Sequence, residues 1–438
     1  MLYKFLNKKI VGILILSLIT CSILPTSNAM SKVLWPSSMS LYNDAIDLDK
    51  IIPATATSSG SKKGLLFTGD PGDIFTLGAG HVAVNMTFSG RGHQFINFLE
   101  KLKKRGIKIT LILCNDNAPV GLNLKNVPEE FRTPYFYMID FEAINKDWQK
   151  YNFERIVDEY GDIVDSWVIG NEINNQAWNF YGASDTITYT KKYCESFKIC
   201  YEKIKEKNEN ADVYIPFDYN WDLPLLRNGD RRQNKELNQY KYNMKEMLGL
   251  ISENLDKEID WGVALHPYPS PVDSSTFFSN TYSGYDNSSP IDTEQLMLLT
   301  LKNFEVFFKY FTDARYLKND GTIRNVIISE FGVTSNENER LQAAGIYYMW
   351  EKIKDNPFIK CLLYNAQTDL DSNHFGLVRG NLRKKISWAV FKDMDRPGEY
   401  IWCKDLLDEV LDEYGYVDVR GRIFNKASES EIKNFLAE

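Results

Sequence analysis

The sequence predicts an α/β fold in which eight parallel strands close into a single (β/α)8 TIM barrel. Short apolar runs alternate with amphipathic helical patterns along most of the chain, which is typical of a parallel sheet covered by helices. Two of the apolar runs end abruptly in a glutamate, Glu172 in one and Glu330 in the other. Parallel barrels collect their functional groups at the carboxyl ends of their strands, so both endings are typical of this architecture.

The predicted elements follow one another in regular order. Apolar runs predict strands over 64–67, 81–86, 107–114, 167–170, 212–217, 261–265, 325–329 and 359–364. Apolar residues spaced by three and four predict helices over 94–104, 145–160, 189–208, 294–312 and 339–355. The segment 270–290 is expected to be a long loop, of the kind that shapes a cleft. The tail from residue 402 predicts a helix, an extended piece and a final helix, a short helical extension packed on the barrel.

The first 29 residues predict a secretory signal peptide. Three lysines precede the apolar stretch 10–24, and small residues at 27–29 suit cleavage after Ala29. The apolar stretch is short for a membrane span, which needs roughly 20 apolar residues. Thr20 before Cys21 is a poor match to the small residue that precedes a lipoprotein cysteine. We therefore expect a secreted protein without stable membrane insertion, in which residues 30–438 form one barrel domain.

Composition narrows the function classes. The 438 residues are 44% hydrophobic and 13% aromatic, with 51 basic and 59 acidic side chains and a net charge of −8. This balance argues against nucleic acid as a partner. Aromatic abundance fits either a sugar-binding cleft or a large core. Removing Cys21 with the signal would leave five of the six cysteines, an odd number in which no disulfide framework is visible.

The two strand-end glutamates suggest a glycosidase. Glu172 ends the fourth predicted strand and Glu330 the seventh, and these strands face each other across the mouth of an eight-stranded barrel. Cleaving a glycosidic bond takes one acid and one nucleophile or base, which two such carboxyl groups supply. The alternative is that both glutamates are helix N-caps or rim residues.

The motifs around both glutamates resemble those of a known group of enzymes. Ile-Gly-Asn-Glu at 169–172 and Ile-Ser-Glu-Phe-Gly at 328–332 resemble the acid/base and nucleophile motifs of the clan A glycoside hydrolases, the retaining (β/α)8 enzymes that include families 5, 10 and 39. The resemblance covers most of the chain in strand order. It implies that Glu172 is the general acid/base, that Glu330 is the nucleophile, and that Asn171 holds the 2-hydroxyl of the sugar.

The resemblance extends to the end of the sixth strand. The segment 264–269 looks like the one in which an aromatic residue or histidine hydrogen-bonds the nucleophile, so Tyr268 or His266 would orient Glu330. A Pro-framed turn around a buried histidine is the alternative. The chain also resembles a bacterial family of uncharacterised clan A-like proteins that share His-Pro-Tyr and Glu-Phe-Gly segments.

Polar and aromatic residues at the other strand ends are candidates for sugar contacts. The candidates are Asn115 after strand three, Asp218, Asn220 and Trp221 after strand five, and Asn365 and Gln367 after strand eight. Trp221 fits a core or rim position equally well. Strand two carries Ala83 and Asn85 where the better-known families often have arginine, and strand eight lacks their tryptophan platform. Two rival functions therefore stay open, a carbohydrate-binding barrel without turnover and a transglycosylase that uses the same glutamates.

No cofactor or metal is expected. The four histidines, His81, His93, His266 and His374, lack the spacing of a zinc or two-metal site. No Gly-rich phosphate loop follows a strand, and no Gly-x-Ser-x-Gly motif is present. The sequence therefore predicts a cofactor-free hydrolase with a carbohydrate substrate.

Overall fold

The computed structural model of the chain describes one continuous fold between residues 60 and 425. Outside the described part lie 1–59, 90–92, 118–135, 144–145, 183, 223–240, 271, 273, 279–280, 283–284, 287–297, 337, 370–373, 420–421 and 426–438. The predicted signal peptide at 1–29 and the final helix predicted for the tail therefore lie outside the described residues, as do parts of the predicted loop 270–290.

Eight parallel strands form a closed barrel, which confirms the predicted fold. Their bounds are Lys63–Leu66 (β1), His81–Thr87 (β2), Lys108–Cys114 (β3), Ser166–Ile169 (β4), Asp212–Phe217 (β5), Trp261–Leu265 (β6), Val326–Phe331 (β7) and Ile359–Tyr364 (β8). Each strand pairs with its neighbours in sequence, and the pairing of Leu65 in β1 with Tyr364 in β8 closes the ring. All eight strands lie within two residues of their predicted positions.

Helices connect most of the strands and cover the outside of the barrel. Their bounds are Pro71–Thr76 (α1), His93–Lys104 (α2), Lys146–Tyr160 (α3), Thr186–Lys207 (α4), Met244–Asn254 (α5), Val306–Phe311 (α6), Glu339–Ile353 (α7), Ile386–Asp393 (α8) and Tyr400–Glu413 (α9). No helix in the described part of the chain is both long enough and apolar enough to cross a bilayer.

The helix predicted over 294–312 is mostly wrong, since among its described residues, 298–312, only Val306–Phe311 is an α-helix. Ahead of it, the Asn303 side chain accepts a hydrogen bond from Thr300 N at 2.8 Å and donates one to Leu298 O at 3.0 Å. An asparagine that bonds nearby backbone groups in this way competes with helix formation. Leu299 N instead donates to Tyr219 O, which ties this segment to the loop after β5.

Two hydrophobic layers hold the barrel together. The strand side chains that point inward fill the barrel, among them Ala83, Ile112, Val168, Tyr214, Ala264, Ile327 and Leu363. The alternate positions pack outward against the helices in a larger cluster. This alternation follows from the two-residue period of a strand, and its inward set leads directly to the site at the barrel mouth.

The carboxyl-terminal extension follows its prediction as far as the structure describes it, and the predicted final helix lies outside the described residues. Helix α9 is followed by an antiparallel hairpin of Tyr416–Val419 with Arg422–Asn425, and the Tyr416 ring packs on Phe278 with centroids 4.3 Å apart. The predicted helix and extended piece are therefore present. Cys114, Cys194, Cys200, Cys361 and Cys403 are all buried free thiols, so these five form no disulfide among themselves.

Candidate active site

Glu172 reaches the barrel mouth through a tight turn after β4. Gly170 has φ +91° and Glu172 has φ +44°, both in the left-handed region. A Cβ at Gly170 would lie 2.8 Å from Asn179 Oδ1, so glycine is required there. A non-glycine residue with positive φ costs about 1–3 kcal/mol, and such strain clusters at functional sites. The turn leaves the Glu172 side chain fully buried.

Glu330 owes its position to an irregularity in β7. Ile328 and Phe331 pair with Leu362 and Tyr364 of β8, so three steps along β7 match two along its partner. An extra residue of this kind breaks the alternation of side chains and re-aims them, and such bulges occur at barrel rims beside active sites. Consecutive residues Ser329 and Glu330 are both buried and both take part in the site.

Two donors hold one oxygen of Glu330. Tyr268 OH donates to Oε1 at 2.6 Å, and Asn365 Nδ2 donates to the same atom at 3.2 Å. Asn365 Nδ2 also donates to Tyr268 OH at 2.8 Å, which fixes the phenol. Burial raises the pKa of Glu330, and the nearby charge of Glu172 raises it further, while His266, Tyr268 and Asn365 act to lower it.

His266 connects the two glutamate-bearing strands. Its Nδ1 lies 3.0 Å from Glu172 Oε1, and its Nε2 lies 2.9 Å from Ser329 Oγ. Burial lowers the pKa of His266 against the opposing charges of Glu330 and Asp218, which favours the neutral ring. Of the two residues predicted to orient Glu330, Tyr268 is the one in hydrogen-bond contact with it, whereas His266 contacts Glu172.

Asp218 adds a third buried carboxylate. It follows β5, and burial raises its pKa to about 7, with the charge of Glu172 as the second cause. Its oxygens accept hydrogen bonds from Asn174 Nδ2 at 2.5 Å and from Asn220 N at 2.8 Å. Glu172, Asp218 and Glu330 therefore interact electrostatically around the ring of His266.

The remaining predicted site residues differ in where they lie. Asn171 is buried immediately before Glu172. Asn115 donates to Met138 O and to Gln149 Oε1, and so holds the segment that follows β3. Gln367 Nε2 donates to Asp70 O at 2.7 Å and thereby ties the end of β8 to the loop after β1. Asn220 Nδ2 donates to Asp218 Oδ2 at 2.6 Å.

Trp221 needs a correction, because it lies in the hydrophobic core and not in the cleft. Its side chain is 1% exposed. Its ring packs edge-on against Tyr310 and Phe307 of α6, with centroid distances of 4.9 and 6.2 Å. Burying a large indole between the β5 loop and a helix is strongly favourable and leaves no face open for a sugar.

Two residues of the site were missed from the sequence. Ser329 lies within the quoted Ile-Ser-Glu motif, but regular alternation along β7 would have placed it on the side opposite Glu330. Asn174 follows Glu172 by two residues and bonds Asp218, a contact between segments 44 residues apart. No group of three or more His, Cys, Asp or Glu side chains in the described ranges is arranged to hold a metal ion.

The fold and the site together define a (β/α)8-barrel protein with buried glutamates at the carboxyl ends of β4 and β7. The chain belongs to the family of unknown function DUF5722, whose model matches residues 92–407. No curated protein matches the chain.

Several solved structures resemble this fold at low identity. A family 39 glycoside hydrolase from the gut symbiont Bacteroides cellulosilyticus WH2 is 15% identical, with a TM-score of 0.49, over 76% of this chain and 62% of that one. A GH2 β-galacturonidase from Eisenbergiella tayi is 12% identical, with a TM-score of 0.42, over 74% and 46%. A family 1 β-glucosidase from Thermotoga maritima is 14% identical, with a TM-score of 0.44, over 74% and 84%. The chain thus spans less than two thirds of the first two proteins, and TM-scores below 0.5 do not decide its function.

Proposed function

We propose that this protein is a retaining glycoside hydrolase that cleaves a β-linked oligo- or polysaccharide by double displacement. The observation that carries the proposal is the pair of buried glutamates at the ends of β4 and β7, held by different partners. Two interacting carboxyl groups with different surroundings are what an acid and a nucleophile require.

Glu330 is assigned as the nucleophile. Its hydrogen bonds from Tyr268 and Asn365 both go to Oε1, so Oε2 is the candidate attacking atom. Hydrogen bonds donated to a carboxylate favour the ionised form, which is the form that attacks the anomeric carbon. Burial opposes ionisation of Glu330, and a charged Glu172 opposes it further. A proton on Glu172 removes that repulsion and makes the ionised nucleophile easier to maintain.

Glu172 is assigned as the acid/base, with His266 as the group that orients its carboxyl. A neutral His266 that donates from Nδ1 to Glu172 Oε1 and accepts at Nε2 from Ser329 Oγ fits the distances of 3.0 and 2.9 Å. In that arrangement Oε2 of Glu172 carries the proton that passes to the leaving group. The same His266 tautomer then stabilises the Glu172 carboxylate that remains.

Trapping the covalent intermediate tests the proposal. The protein is incubated with a panel of 2-deoxy-2-fluoro-β-glycosyl fluorides, and peptide mass spectrometry locates any adduct. We expect one sugar on the peptide that contains Glu330 and no adduct in Glu330→Gln. Glu351→Gln is the matched control, since Glu351 pairs with Lys354 at the far end of α7, and it should label normally.

The rival functions give different outcomes in the same assay. Saturable sugar binding without an adduct or turnover would contradict the proposal and favour a carbohydrate-binding barrel. An adduct that added acceptor sugars discharge faster than water does would identify a transglycosylase. An adduct on a carboxylate other than Glu330 would refute the assignment of the nucleophile.

We also propose that the protein is exported and cut after Ala29. The basic start, the short apolar stretch and the small residues at 27–29 support this. Amino-terminal sequencing of protein recovered from the medium of the expressing cells should begin at Met30. Recovery from the cells alone with residues 1–29 still attached would contradict export.

A further inference from the structure

A reciprocal pair of hydrogen bonds joins the loop that carries Glu172 to the loop after β5. Asn174 Nδ2 donates to Asp218 Oδ1 at 2.5 Å, and Asp218 N donates to Asn174 Oδ1 at 2.9 Å. Asn220 donates to the same carboxylate twice, from its backbone N to Oδ1 at 2.8 Å and from its Nδ2 to Oδ2 at 2.6 Å. The Asp218 side chain is therefore held rigidly in a site that is 3% exposed.

This pair of hydrogen bonds between Asn174 and Asp218, called the clamp below, restrains the backbone of Glu172. Asn175 N donates to Glu172 O at 2.7 Å, and Ile173 N donates to Pro216 O of β5 at 3.0 Å. Asn174 lies between these two anchors, so its bond to Asp218 completes the restraint of the turn. A left-handed glutamate persists only where its surroundings over-determine it.

The charge of Asp218 acts on the carboxyl group of Glu172. The titratable groups that interact with it are Glu172 and His266, and Lys241 is the nearby cation. Glu330 interacts in turn with Glu172 and His266. Two carboxylates that interact oppose each other's ionisation, so one of the pair keeps a proton. Three N–H groups donate to the Asp218 oxygens and favour its ionised form. An ionised Asp218 in turn favours retention of the proton on Glu172, which is what a general acid needs.

We propose that Asp218 is a positioning residue for the acid/base. It restrains the turn of Glu172 through Asn174, and its negative charge keeps the proton on the Glu172 carboxyl. This inference rests on the proposed function for the role of Glu172. It differs from the sugar contact that the sequence predicts for Asp218, because the bonds to Asn174 and Asn220 direct the carboxylate to protein donors.

Leaving-group dependence tests the inference. Asp218→Asn removes the charge at nearly constant size, and kcat and KM are measured on a glycoside with a poor leaving group and on its 2,4-dinitrophenyl counterpart. We expect kcat on the poor substrate to fall about 100-fold, and kcat on the activated one to fall by less than about threefold. The basic limb of the pH profile on the poor substrate should move down by about one pH unit.

Three control variants separate the two actions of Asp218. Asp218→Glu keeps the charge and should keep the basic limb in place. Asn174→Ala breaks the clamp and should lower kcat on the poor substrate without moving the limb. Asp165→Asn makes the same charge change at the opposite end of the barrel, beside Lys103 and Lys108, and should alter only stability. Equal losses on both substrates with an unmoved limb, or a rise in KM with kcat unchanged, would overturn the inference.

A second measurement does not depend on turnover. The chain has four histidines, so 13Cε1-histidine labelling yields few signals, and His266→Gln assigns the one of interest. In the unsubstituted protein the His266 signal should shift as the neighbouring Asp218 carboxyl ionises. That inflection should vanish in Asp218→Asn and persist in Asp165→Asn.

The two measurements distinguish the possible failures. A His266 titration that is unchanged in Asp218→Asn would overturn the coupling, whatever the activity. A His266 inflection that disappears as expected, in a protein that turns over no glycoside, would leave the coupling of Asp218 to Glu172 and His266 standing and refute the proposed function.

Discussion

A half-buried aspartate at one end of this barrel and a buried aspartate at the other lie in opposite electrostatic surroundings. At the amino-terminal end, Asp165 lies 2.7 Å from Lys103 Nζ and 3.1 Å from Lys108 Nζ and accepts a hydrogen bond from Ile109 N. These donors outweigh burial and lower its pKa. At the carboxyl-terminal end, Asp218 lies near Glu172, and burial raises its pKa to about 7.

The two ends of the barrel therefore differ in how their carboxylates are stabilised. The carboxylate at the base is neutralised by cations and ties β3 and α2 to the start of β4. The carboxylates at the mouth repel one another and are held by neutral donors such as Tyr268 and Asn365. Groups whose ionisation is opposed by their surroundings are poised to exchange protons, which is the usual mark of a catalytic site.

The largest expected effect at the mouth comes from Glu330→Gln. We expect kcat to fall by at least about a thousandfold, because an amide cannot form the glycosyl-enzyme. The amide oxygen can still accept the hydrogen bond from Tyr268, so the melting temperature should change by less than about 3 °C. Aryl glycoside kinetics and calorimetry check both. Full activity, or a large drop in melting temperature, would contradict the assignment of a chemical role at the mouth.

Glu172→Ala should show a smaller, substrate-dependent loss. Substrates with poor leaving groups need the proton from Glu172, so their turnover should fall about 100-fold or more, while activated aryl glycosides form the intermediate almost normally. Azide should restore part of the rate and yield a β-glycosyl azide, detectable by NMR. Absence of rescue, or an α-azide product, would count against Glu172 as the acid/base of a retaining enzyme.

Tyr268→Phe should have an intermediate effect that tests how Glu330 is tuned. Removing a donor to the ionised carboxylate raises the pKa of Glu330. The acidic limb of the kcat/KM profile should therefore move to higher pH, and kcat should fall about 10-fold. Tyr364→Phe is a matched control, since the Tyr364 hydroxyl donates to Phe375 O in the packing behind β8, and its acidic limb should stay in place.

The smallest effect is expected at the base and concerns stability alone. Asp165→Asn should lower the free energy of unfolding by about 1 kcal/mol at pH 7, because its lysine partners are partly exposed. The folded pKa of Asp165 is lowered, so the stability it contributes is present above the unfolded pKa, about 3.9, and is lost as pH falls. The difference from the unsubstituted protein should therefore shrink below about pH 4.

Asp218 should show the opposite dependence on pH. Its folded pKa is raised to about 7, so its contribution is greatest below the unfolded value, about 3.9, and is lost as pH rises through about 7. Relative to the unsubstituted protein, Asp218→Asn should gain stability between those values. Denaturant unfolding across this pH range measures how the stability of each variant differs from that of the unsubstituted protein. If the two differences changed with pH in the same direction, the contrast between the two ends of the barrel would be refuted.

Much of the fold could be predicted because strand and helix signals are local. The strands 212–217, 261–265 and 359–364 are predicted to the residue, since each is a compact apolar run. The helix predicted over 294–312 is not formed at 298–305, where the Asn303 side chain bonds the backbone of Thr300 and Leu298. Trp221 failed as a sugar contact because its neighbours, Phe307 and Tyr310, are more than 80 residues away in sequence.

The sequence by itself determined the order of the elements and the location of Glu172 and Glu330 at strand ends. Both are local properties, because the length of a strand and the polar residue that ends it depend on consecutive residues. The tertiary structure alone decided which groups meet: His266 with Glu172, Tyr268 with Glu330, and Asp218 with Asn174. Closing the barrel brings together strand ends that are 44 to 94 residues apart. The extra residue in β7 then sets the direction of the Glu330 side chain. No local sequence pattern predicts this backbone irregularity.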